Sequence, residues 1–124
     1  MEIITRGKLR AALFEEEDLG QAKAAPEKFI QSAIDQGCTG FIIPGRLIKK
    51  ALPLMKSGLL DALRKRFAHA SFRAAVVNMP GGLIASAVKV LVKAYGVDDS
   101  VFFADNMGEA LDALASVPPA GRTT

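Results

Sequence analysis

The chain has 124 residues, half of them hydrophobic and 23% charged, with a formal net charge of +3. That length suits one packed domain, not two, and no apolar run approaches the ~20 residues of a membrane span. One cysteine, Cys38, excludes an internal disulfide, and 6% aromatic residues with no tryptophan leave out the stacking platforms of single-strand nucleic-acid binders. The opening "MEIITRGKLR" lacks the basic-then-apolar order of a signal peptide. The expectation is a cytoplasmic protein with no membrane, nucleic-acid or cofactor partner, in which Cys38 is buried filler.

Taken in order, "EIITRGKLRAALFE" predicts two short strands around Arg6-Gly7-Lys8, the second alternating Leu9, Ala11 and Leu13 with Arg10 and Ala12. The polar "EEEDLGQAKAA" leads into a helix in which Pro26 suits the first turn, Phe29, Ile30, Ala33 and Ile34 share a face, and Gly37 ends the run. "CTGFIIP" reads as a buried strand. "GRLIKKALPLMKS" is the least regular stretch, with Pro53 expected to block a helix through it. Leu59, Leu60, Leu63 and Phe67 mark the next helix face. "SFRAAVVNM" reads as a strand and "PGG" as its turn. Leu83, Ile84, Ala87, Val88, Leu91, Val92 and Tyr95 form the cleanest helical stripe. "SVFFA" is a last strand, and "DNMGEALDALAS" a last helix with Asn106 and Glu109 at capping-box spacing. This alternation predicts an α/β fold. It has a single mostly parallel sheet of about five strands and about four helices, in one domain over 1–117 with a flexible tail at 118–124.

Positive charge is concentrated in the middle third. Residues 46–73 carry Arg46, Lys49, Lys50, Lys56, Arg64, Lys65, Arg66 and Arg73 against Asp61 alone. This is either a basic patch for an acidic partner or phosphate, or a solvated helix face beside a loop.

Ser57-Gly58-Leu59, opening a helix after a strand and loop, and the run "LVKAYGVDDSVFFADNMGEALDAL" together resemble the STAS domain, the fold of bacterial anti-sigma-factor antagonists. In that family an Asp-Ser-(Ser/Thr)-Gly-(Leu/Ile) motif holds the hydroxyl that a partner kinase phosphorylates. The resemblance implies a non-enzymatic, signalling, protein-binding module. Its partner would be an anti-sigma factor or kinase-like regulator, and its contact surface Lys56, Ser57, Gly58, Leu59 and Asp61. The sequence departs from the motif: Met55 stands at the aspartate position and Lys56 replaces the middle serine. Lys56-Ser57-Gly58 with Arg66-Phe67 is still more similar to an uncharacterised bacterial STAS-like family.

The residues themselves offer two readings of Ser57. As an N-cap it satisfies a helix start, worth about 1 kcal/mol. As a phosphorylation point, its phosphate would meet the free N–H groups there, beside Lys56. Asn78, Gly81 and Gly82, in "NMPGGLIAS", form a second candidate, an anion-binding loop or a plain turn. His69, the one histidine, reads as an exposed turn residue or as a base beside a carboxylate. Glu15, Glu16, Glu17 and Asp18 are a solvated acidic run or a metal site. Rival functions are a small-molecule or lipid carrier with a pocket lined by Phe41, Met55, Phe72 and Met79, an enzyme using the carboxyl-edge loops, and a homodimer formed through exposed parts of "GFIIPGRLI" and the tail.

Overall fold

The structure, a computed structural model, describes residues 1–69 and 72–116. Five strands lie in the order β1-β2-β3-β4-β5. β1 (Glu2–Arg6) and β2 (Leu9–Leu13) form the expected antiparallel hairpin. β3 (Gly40–Pro44), β4 (Arg73–Val77) and β5 (Val101–Ala104) then add in parallel, each beside its predecessor. This is the mostly parallel α/β sheet that the alternation predicts.

A right-handed crossover that always steps in one direction places every connecting helix on the same face. That face carries α1 (Leu19–Ala24), α2 (Pro26–Asp35), α3 (Gly45–Leu54), α4 (Leu60–His69) and α5 (Leu83–Ala94). Its core is built on Phe14, Phe29 and Phe41, three fully buried rings in edge-to-face contact at centroid distances of 5.5–5.7 Å. Ile48, Leu60, Leu63, Val76 and Val88 extend the same cluster. The opposite face is closed by α6 (Met107–Ala115), whose Ala110, Leu111 and Leu114 cover Ala11, Ile42, Ala75 and Val77. α6 is capped as its spacing predicts: Asn106 Oδ1 accepts from Glu109 N at 2.9 Å. The returning bond runs between side chains, from Asn106 Nδ2 to Glu109 Oε2 at 3.0 Å.

Among the described residues six α-helices stand where about four were expected, for two reasons. The acidic run "EEED" does not stay in a loop. Glu15 N bonds Asp18 Oδ2 at 2.8 Å, Glu16–Asp18 makes a 3₁₀ turn, and α1 follows directly. "GRLIKKALPL" is a helix despite Pro53, which sits in its last turn. There the proline removes one hydrogen bond while Leu47, Ile48, Ala51 and Leu54 bury a continuous stripe, and the packing wins. The expected tail at 118–124 lies outside the described residues.

Gly45 fixes where α3 begins. A Cβ built on it would fall 1.9 Å from Asn78 O and 2.7 Å from Val77 O. Only a residue without a side chain lets the start of α3 rest against the end of β4. No helix among the described residues is long and apolar enough to cross a membrane.

Candidate functional site

The Lys56-Ser57-Gly58 triplet sits at the kink between two helices. Met55–Leu59 joins α3 to α4 across that kink. Gly58 breaks the helical path within it, at φ 133° and ψ −20°. That backbone is strained for any side chain, so the glycine is required by the bend itself. A Cβ there would also lie 3.4 Å from Pro26 Cγ at the head of α2. Gly58 ends the regular helical path directly ahead of α4, so Ser57 stands at the junction of two helices. The side chain of Ser57, like that of His69 at the end of α4, lies outside the described part of the structure.

The other residues of this site divide by burial. Lys56 is exposed, and Gly58 and Asp61 are half-buried. Leu59 is 1% exposed and packs into the core with Leu60 and Leu63, so it anchors the bend and presents nothing outward. Asp61 Oδ1 accepts from Arg64 Nη2 at 2.6 Å, one turn along α4. The basic stretch is spread along two helices and is partly matched by acids from elsewhere. Lys65 Nζ lies 2.7 Å from Glu27 Oε1, which raises the lysine's pKa above its ordinary value. Lys50 pairs with Glu16 and holds that carboxyl below its ordinary pKa.

Beside the bend, α1 and α3 enclose an open groove of about 540 Å³. Leu19, Gly20, Pro53 and Leu54 form its apolar lining, and Lys23 and Lys50 stand on its two walls. A smaller groove of about 280 Å³ between α2 and α4 is lined by Glu27, Ile30, Ala62, Lys65 and Arg66. The residues expected to line an interior ligand pocket do not do so: Phe41, Met55 and Phe72 are at most 2% exposed and fill the core. Met79 packs at the rim of that core.

The second candidate, the loop after β4, lies at the carboxyl edge. Asn78 adopts φ 55° and donates its N–H to Ala104 O at 2.8 Å, while Gly81 and Gly82 are exposed ahead of α5. These bonds describe a turn joining β4 to β5 and α5. Asn78 lies against Gly45, a neighbour whose only local signal is the Pro-Gly pair after β3.

The acidic run is divided too. Asp18 is buried and accepts from Glu15 N and from the α-amino nitrogen of Met1, the latter at 2.9 Å and raising the amine's pKa. Glu15 is pushed up by its hydrogen bond to Glu17, and Glu17 is held down chiefly by a backbone hydrogen bond. Among the described residues no three His, Cys, Asp or Glu side chains are grouped to hold a metal ion. Cys38 is buried, and burial pushes its thiol pKa up against the opposing charge of Arg10.

Comparison with known proteins finds no similar family model, curated protein or solved structure.

Proposed function

We propose that this chain is a cytoplasmic, non-enzymatic regulatory module of STAS type that docks a protein partner on the surface around Lys56, Ser57, Gly58 and Asp61. The observation that carries the reading is the kink between α3 and α4, with its positive-φ glycine at the Lys-Ser-Gly triplet. Helix kinks held by an unusual backbone conformation recur at functional sites, because they set a short backbone segment apart from the regular helix. The adjoining groove supports the same reading. Its apolar floor and two lysines suit an amphipathic segment carrying acidic groups, such as an anti-sigma factor or kinase-like regulator would need to present. A phosphate on Ser57 would add roughly −2 charge beside Lys56 and change that surface without any catalytic residue in this chain.

The test is capture of partners from native extract on wild type, Ser57→Asp, Ser57→Ala and Lys56→Glu, read by mass spectrometry with phosphosite mapping. One partner held by wild type and Ser57→Ala, and lost from the other two, is the expected result. Identical partner sets on all four proteins, with Ser57 unmodified, would remove the triplet from function and leave it as a bend.

A further inference from the structure

The two edges of the sheet are built differently. β1 carries Glu2 and Arg6, and Arg6 is tied across to α6 by Asp112 Oδ1 at 2.8 Å and Gly108 O at 3.1 Å. β5 is Val-Phe-Phe-Ala, with neither charge nor proline to guard it. The large apolar side chains left exposed among the described residues are Leu83 (89% exposed) and Val90 (68%) on α5, the helix that leads into this strand, and Phe103 (40%) on β5 itself. α5 has twelve residues and buries only Val88 and Val92. The backbone along this edge is oriented outward in alternation. Ala74 N donates to Ser100 O and Asn78 N to Ala104 O, so Val101 and Phe103 turn their own N–H and C=O groups away from β4. Among the described residues no strand pairs with them.

We infer that the β5 edge binds a second copy of this chain, antiparallel about a two-fold axis, so that the two five-stranded sheets run on as one. The edge is complementary to itself. An extended segment with two outward-facing residues is what Val101 and Phe103 require, and β5 of another copy supplies it. Charge selects the register. Centring the pair on Phe102 sets Asp99 of one copy opposite Asp105 of the other, and like charges directly opposed across strands are unfavourable. Centring on Phe103 removes that opposition and packs the two Phe103 residues across the axis. It also sets Asp105 of the second copy beside Val101, at the end of β5 over which the last turn of α5 brings the exposed Lys93. Lys89, with Nζ 5.7 Å from the Phe103 ring centroid, already covers that ring from its own chain.

Light scattering after size exclusion, on the full chain at high micromolar concentration, tests this. The expected mass is twice the 13.1 kDa of one chain, falling toward one chain on dilution. Phe103→Glu places two carboxylates face to face on the axis and is expected to weaken association about 100-fold while leaving the circular dichroism spectrum unchanged. Should that variant fail to fold, Asp105→Lys, at an exposed position, sets a cation beside Lys93 across the pair and is also expected to weaken association. A single-chain mass for wild type overturns the inference, and so does a dimer whose affinity is unchanged in a folded Phe103→Glu or Asp105→Lys.

Discussion

Five helices close one face of the sheet and one helix closes the other. The first face is redundant: its core holds an aromatic triad and side chains from α1 to α5, and no single helix covers it. The second has no such reserve, because among the described residues its helical side chains come from α6 alone: Ala110, Leu111 and Leu114, with Met107 at the margin. Sequential strand order produces this imbalance. When every crossover turns the same way, the far face waits for an element that is not a crossover.

Substitutions can break the comparison by graded amounts. The largest effect is expected from Gly45→Ala, which drives a methyl group into the Asn78 carbonyl and shifts α3 off the sheet. A loss of about 3–5 kcal/mol in urea unfolding is expected. Next, Phe41→Ala on the five-helix face should cost about 3–5 kcal/mol as a cavity, and Leu114→Ala on the other about 2–3 kcal/mol. The contrast between this pair is in hydrogen exchange. Leu114→Ala should loosen α6 alone, with α1–α5 still protected, whereas Phe41→Ala should lower protection across the whole first face. If Leu114→Ala destabilises all elements equally, the two faces are one cooperative unit and the comparison fails.

Gly58→Ala sharpens the role of the bend. Forcing a methyl-bearing residue into φ 133° should cost about 1–3 kcal/mol, and Gly58→Asn less than a β-branched residue at the same place. A neutral Gly58→Ala would mean that α3 and α4 are joined by another path. The smallest effect belongs to Lys50. Glu16 has its folded pKa lowered from 4.5 by that lysine, so the pair adds stability above the unfolded value and loses it as pH falls through the folded one. Thermal melts of Lys50→Met should therefore differ slightly from wild type near neutrality and converge with it in acid.

The parts of the fold that periodicity fixes were legible. The hairpin, the parallel strands, α2, α5 and α6 follow from alternation, apolar stripes and caps at Gly37, Gly96 and Asn106. α3 was not, because Pro53 outweighs the Leu47–Ile48–Ala51–Leu54 spacing in any local reading, and only the tertiary packing of that stripe decides against it. The Ser57-Gly58 pair was found but its geometry was not. Serine and glycine before an apolar run spell a helix start, and a kink that joins this helix to a preceding one through a positive-φ glycine leaves no separate mark in composition. The contact of Gly45 with Asn78 joins residues thirty-odd positions apart, beyond the reach of any window. That Phe41, Met55 and Phe72 are buried in one core likewise shows only in the tertiary structure.

The position of α6 also has a bearing on how the molecule is made. It packs against β5 and β4 and reaches back to β2, while its Gly108 and Asp112 hold Arg6 from the first strand. During synthesis the hairpin and every crossover helix emerge before it does. Until its nine residues clear the ribosome, Leu9, Ala11, Ile42 and Ala75 have no cover, and the nascent chain travels with one side of its sheet bare. Among the described helices α6 acts as a clasp, joining the first strand to the last and closing the bare side of the sheet.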